Sequence, residues 1–223
     1  LVEPLDDFRL TNPPTNPALL DALAQTLVKH DYDLHALIEV ITSSQAYQRS
    51  TAVNETNRND EGNYSRFLFK RMDAEVLLDA ICQVTGVAEK FAGIPQGSRA
   101  IQLWDSAVPH YFLKTFGRPL RVTACTCERA VEPTVAQVLH ILNAPGIQEK
   151  LSHVGGQVSQ LVAKHHKSTD LVEELYLMMY SRFPTAEERK TGVDYLKNQP
   201  NRQLAAEDLC WSMMNSIEFV FNH

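Results

Sequence analysis

Two thiols separated by one residue are the densest chemistry in this chain. Cys125 and Cys127 stand in the run Cys125-Thr126-Cys127-Glu128-Arg129. Such a pair can grip a soft metal, close a strained disulfide or bond to a cysteine elsewhere. A zinc site ordinarily takes two paired ligand sets, and this sequence has one close pair, with no C-x-x-C and no C-x-x-C-H haem attachment. His110, which precedes Tyr111-Phe112, is the imidazole that could join the pair in a metal or redox site. A structural role in an oxidising compartment is the simpler expectation for the two thiols. Cys82 and Cys210 fall in helical apolar stripes, where a free cysteine acts as a small hydrophobe.

Carboxylates offer a second chemistry. Arg71, Glu75 and Asp79 recur at successive helical turns and share one face. Glu75 and Asp79, with Glu128, could supply the paired acid and base of a hydrolase. The alternative is an exposed, ion-paired stripe opposite Val76 and Ala80, and this is the expectation we carry forward. Arg118, Arg121 and Arg129 bracket the cysteines. Their forked guanidinium groups could hold a carboxylate or phosphate. They could equally tie an irregular loop together through its own carbonyls, because buried backbone groups need partners. With Trp104 and Tyr111 they form the candidate binding set. His165-His166 between Lys164 and Lys167 reads as a solvated basic patch. No H-E-x-x-H, phosphate loop, dinucleotide fingerprint or G-x-S-x-G elbow occurs.

Helices must position these groups. Asn16-Pro17 opens a helix with Leu20, Leu23, Ala24, Leu27 and Val28 on one face. Asp33 caps a second, with Leu34, Leu37, Ile38 and Ile41. Residues 50–65 are polar and loop-like. A third helix runs from about Met72 to Val84, with Val76, Ala80, Ile81 and Val84 as its buried stripe and Gly86 as its stop. Periodicity then lapses, and only Arg99 to Trp104 looks strand-like. So long an irregular stretch is uncommon in a compact domain and more often functional than average.

Helices resume at Thr134, where Thr134-x-x-Gln137 forms a capping box. They continue through Ile147–Leu151 and the stretch after Gly155-Gly156. Asp170-x-x-Glu173 and Thr185-x-x-Glu188 cap two more, and the last spans about Leu204 to Phe221. One echo stands out: Leu37-x-x-x-Ile41-x-x-Ser44-x-x-Tyr47 repeats as Leu209-x-x-x-Met213-x-x-Ser216-x-x-Phe219.

The chain has 223 residues, of which 44% are hydrophobic and 22% charged, so it folds. A net charge of −6 argues against a general nucleic-acid binder. No apolar run reaches the roughly 20 residues that cross a bilayer. The expected architecture is all-α, one domain of seven to ten helices with a possible short hairpin. It divides into an N-terminal helical part (1–86), an irregular central segment (87–133) and a C-terminal helical part (134–223). The ends read as those of a piece of a longer protein.

Several strings together carry a resemblance. They are Thr11-Asn12-Pro13-Pro14-Thr15-Asn16-Pro17 with Leu19-Leu20-Asp21, and Arg71 with the run Ala74 to Ala80. Phe116-Gly117-Arg118-Pro119, Cys125 to Arg129, and Glu132-Pro133 with Gln137 follow. Leu175-Tyr176, Arg182-Phe183-Pro184-Thr185, and Asn215-Ser216-x-Glu218-Phe219 with His223 complete the set. On these the chain resembles the planctomycete-specific, cytochrome-associated C-terminal domain of unknown function (domain family 1553), over nearly its whole length. The resemblance implies an exported, extracytoplasmic setting, periplasmic or at the cell surface. It also implies a longer parent chain and a neighbouring c-type cytochrome domain. It offers no catalytic residues to carry over. The expected role is a non-catalytic helical scaffold that docks another domain of the parent chain, a partner or a glycan. A redox or metal domain at Cys125 and Cys127 is the alternative, and a carboxylate hydrolase the third.

Overall fold

The computed structural model describes residues 1–2, 7–60, 62–104, 108–119 and 144–222. Among them the fold is all-α, as expected: ten α-helices, one 3₁₀ turn and a single pair of two-residue strands. Contacts divide the chain into two compact units. The first comprises Leu1–Lys70 and the second the described residues from Arg71 to Asn222.

The first unit is a helical hairpin followed by loop. Asn16 caps α1 (Pro17–Lys29), its side chain accepting from the Leu19 N–H at 3.0 Å, and Pro17 takes the first turn. Asp31 and Tyr32 turn the chain with positive φ, and Asp33 caps α2 (Leu34–Thr42) by accepting from the His35 N–H at 2.8 Å. Neither helix fully buries a side chain. Val28, Leu34 and Ile38, expected on the inner faces, are exposed. The polar loop that follows is organised by its own side chains, with Asn54, Asn57 and Asp60 accepting local backbone N–H groups.

The second unit holds the core. α3 (Ala74–Thr85) ends at Gly86, whose φ of 69° is left-handed. A Cβ there would stand 3.1 Å from the Gln157 N, so glycine serves both the turn and the close approach of the next helix. The stripe that α3 buries is Ala74, Leu77, Leu78, Ile81 and Val84 together with Glu75 and Thr85. The expectation that Arg71, Glu75 and Asp79 form an exposed stripe is therefore overturned. Glu75 is 5% exposed, whereas Val76 is 42% exposed. The reason is tertiary: Glu75 has an arginine to meet inside the fold.

The stretch read as strand-like, Arg99 to Trp104, is instead a 3₁₀ turn over Ala100–Gln102. A short helix α4 (Tyr111–Thr115) follows, with Phe112 and Leu113 buried. Thr134, Gln137 and the helix expected there lie outside the described residues. Beyond them come α5 (Pro145–Leu151), α6 (Gln157–Lys164), α7 (Ser168–Tyr180), α8 (Ala186–Asn198) and α9 (Arg202–Met214). α7 starts ahead of the expected Asp170 cap, which instead lies in its first turn. α8 starts as expected, with Thr185 and Glu188 each accepting the other's backbone N–H. α7 and α8 approach so closely at Gly192 that a Cβ would meet a Val172 methyl at 3.0 Å.

The final helix is not continuous. It stops at Asn215, and Ser216 caps a single turn, α10 (Ile217–Val220). β1 (Lys70–Arg71) and β2 (Phe221–Asn222) form the strand pair. The sequence echo reappears here as bonding. Ser44 donates its N–H to the Ile41 carbonyl at 3.1 Å, and Ser216 does the same to Met213 at 3.1 Å. Each serine oxygen then accepts from an aromatic residue's N–H at 3.2 Å, Tyr47 in one case and Phe219 in the other.

Candidate functional site

Cys125, Cys127, Glu128, Arg121 and Arg129 lie outside the described residues. The candidates that are described, Glu75, Asp79, Arg118, Trp104, Tyr111 and His110, fall on α3 and on the segment that crosses it. Their geometry divides them into groups that fasten the segment and groups that the segment displays.

Asp79 fastens the 3₁₀ turn. Its two oxygens accept the Ala100 N–H at 2.7 Å and the Ile101 N–H at 3.1 Å, and Arg99 Nε stands 3.5 Å away. A carboxylate aimed at two otherwise unpaired N–H groups caps a helical turn as an N-terminal aspartate would, here from another element. Arg118 reaches back from beyond α4. Its Nε lies 3.6 Å from Glu75 Oε1, with side-chain exposures of 7% and 6%. Its Nη2 donates to the Leu103 carbonyl at 3.4 Å. Arg71 Nη2 donates to the Phe116 carbonyl at 3.0 Å, and the same guanidinium sits 5.7 Å from the Phe116 ring. Phe116 stacks on Phe112 at 4.2 Å. Of the three arginines read as loop ties or anion forks, Arg118 alone is described, and it meets both a carboxylate, Glu75, and a backbone carbonyl, Leu103.

His110 caps α4, its Nδ1 accepting from the Leu113 N–H at 3.4 Å. Its other nitrogen stands 3.8 Å from Glu89, and Lys150 Nζ lies 3.3 Å from the same carboxylate. Lys150 also donates to the Val87 and Ala88 carbonyls, at 3.0 and 3.2 Å. His110, chiefly, and Lys150 hold the Glu89 carboxyl down to about 2 against the opposing pull of burial. Glu89 and Lys150 were not anticipated. The irregular composition around Glu89 hides the pairing, and no local spacing links it to Lys150.

Trp104 and Tyr111 face outward, 74% and 71% exposed, and Ile101 is 53% exposed. The fastened segment thus turns Ile101, Trp104 and Tyr111 toward solvent while Leu103, Phe112, Leu113 and Phe116 stay buried.

Cys82 and Cys210 are free thiols. Burial pushes the Cys210 thiol up to about 12, and raises Cys82 as well. Both match the expected role of small core hydrophobes. Among the described residues no three His, Cys, Asp or Glu side chains converge as a metal would require.

A second polar cluster, on α7–α10, was missed. Arg182 grips Glu188 and Glu218 together, and its guanidinium lies 5.4 Å from the centres of both the Tyr176 and Tyr180 rings. Arg182 lifts Glu188's burden of charge and holds its carboxyl down to about 2. The capping box exposed Glu188's local role, but nothing in the spacing announces a partner as distant as Glu218.

No helix of the described residues is long and apolar enough to cross a membrane. Neither a curated protein nor a solved structure matches the chain. A family does: the model of PSD1, protein of unknown function (DUF1553), matches residues 1–196, and the chain belongs to that family.

Proposed function

We propose that this chain is a non-catalytic docking module that packs against a neighbouring domain of a longer, exported, cytochrome-associated protein. One observation carries the reading. Residues 99–104 and 108–116 are held by Asp79 of α3, by Arg118, which pairs with Glu75 of α3, and by Arg71 of β1, yet they turn Ile101, Trp104 and Tyr111 to solvent. Exposed aromatics cost less to order on binding when their backbone is already fixed, which helps interface anchors gain affinity. Glu75 and Asp79 are engaged with Arg118 and with backbone N–H groups, so the described residues lend no support to a hydrolase. The exported setting and the cytochrome neighbour rest on the family resemblance alone.

The test compares amide hydrogen exchange of residues 99–116 in this chain alone and in the full-length parent. Added protection in the parent, lost on replacing Trp104 and Tyr111 with serine, supports docking. Equal exchange in both removes the reading.

The metal or redox alternative is favoured by one observation. Cys82 and Cys210 are free, which leaves Cys125 and Cys127 as the two of the four cysteines open to this role. Two thiols so spaced can bridge, bind a soft ion or stay reduced. Full occupancy by zinc, iron or copper in protein purified without added metal, lost in Cys125→Ser, supports it.

A further inference from the structure

The docking face carries a charge opposite to that of the chain. Of the 21 Lys and Arg, five fall within residues 90–121, together with one of the 27 Asp and Glu. So basic a stretch in a chain of net charge −6 creates a local field of the other sign. Arg118 is spent inside the fold on Glu75. Arg121 and Asp105, the one acid, lie outside the described residues. Among the described residues of 87–119, every exposed charged side chain is a cation: Lys90, Arg99 and Lys114. Arg99 stands beside Asp79, whereas Lys90 and Lys114 meet no carboxylate among the described residues.

The fold gathers these cations around the displayed aromatics. Arg118 donates its backbone N–H to the Leu113 carbonyl at 2.9 Å and its Nη2 to the Leu103 carbonyl at 3.4 Å. Lys114 and Trp104, each one residue further along, therefore leave the surface from adjoining stretches of backbone. Tyr111 and Lys114 are three apart on α4 and so are neighbours on its surface. The Phe91 ring lies 5.3 Å from His110, which brings Lys90 to the start of the same helix. Arg99 opens the turn that bears Ile101.

An apolar centre rimmed by charge of one sign is the anatomy of an interface whose partner supplies the other sign. An anionic membrane surface calls for a denser cluster, of roughly four to eight cations. We infer that the surface docked here is an acidic segment of the neighbouring domain, with carboxylates that meet Lys90 and Lys114 around an apolar patch for Trp104 and Tyr111. The inference rests on the docking reading and gives the partner's chemistry.

The test measures amide exchange of residues 99–104 and 108–116 in the full-length parent at about 0.1 M and about 1 M salt, across which the screening length falls from ~10 to ~3 Å. The protection gained over this chain alone should drop at least about threefold at the higher salt. Lys90→Glu with Lys114→Glu should lower it about tenfold at the lower salt, and Lys90→Gln with Lys114→Gln by less. Both lysines are exposed, and unchanged exchange across α7 verifies that the variants fold. Protection in the parent that ignores both salt and the lysine changes overturns the acidic partner and leaves docking itself standing. No protection in the parent at either salt removes the docking reading and this inference with it. Protection of this chain alone, brought on by phosphatidylglycerol vesicles or by raising its own concentration, would put a lipid surface or a second copy on the face and overturn the proposal.

Discussion

Arg118 Nε lies 3.6 Å from Glu75 Oε1 with both side chains buried, so an ion pair inside the fold joins the central segment to α3. Two charges removed from water are costly singly and tolerable together. Arg118→Ala is therefore expected to cost about 3–5 kcal/mol, because it takes a cationic partner away from a buried carboxylate. Replacing both residues with methionine should recover most of that loss. Urea unfolding of the single and double variants measures it, and equal losses in the two would mean that removal of the cationic partner is not the cause.

Asp79 should behave as a cap delivered from outside its turn. Asp79→Ala is expected to destabilise by about 1 kcal/mol, the usual worth of such a cap. The change should concentrate where its oxygens accept, at the Ala100 and Ile101 amides. Hydrogen exchange at those two amides should accelerate more than across α7. Uniform acceleration would argue against a local cap.

Glu89 gives a pH dependence with a definite sign. Its carboxyl is depressed from an ordinary 4.5 to about 2. Folding therefore gains from the ionised form above 4.5, and that gain is lost as pH falls towards 2. The stability gap between the natural chain and Glu89→Gln should be widest near neutrality and close across that acid window. A gap that stays constant from pH 6 to pH 2 (read by denaturant midpoint) would contradict the assignment.

Thiol reactivity should separate the cysteines. Cys210 is fully buried with its thiol pushed up to about 12, and Cys82 is raised by burial too. Both are expected to react slowly with a disulfide reagent in the folded protein and promptly once unfolded. Fast labelling of Cys210 in the folded chain would show that α9 is less closely packed than described.

Helix starts were the most legible part of the fold. Asn16, Asp33 and Thr185 with Glu188 are local signals, and each bonds as its spacing implies. One local signal failed, the Asp170 cap, since the helix starts at Ser168, and so did most of what depended on a distant partner. Glu75 reads as surface because nothing nearby in sequence reveals Arg118, and Val76 reads as core because apolar residues usually are. Arg99 to Trp104 looks strand-like, but two N–H groups are claimed by Asp79 and the chain coils. The last helix reads as one because its periodicity barely falters, while Ser216 interrupts it through a hydroxyl that hydropathy does not register. Of the candidate site, the arginine and aromatic residues were legible as types. Their division into fasteners and displayed anchors is a property of three dimensions.

The matched family stretch stops at residue 196, two residues short of the end of α8. Yet α9 contributes Ala205, Ala206, Cys210, Met213 and Met214 to the same core. Trimming the chain at that point would strip the floor from beneath α6 and α7 and leave a sticky remnant. The packed core extends beyond the recognised signature, and anyone producing this module on its own should keep α9.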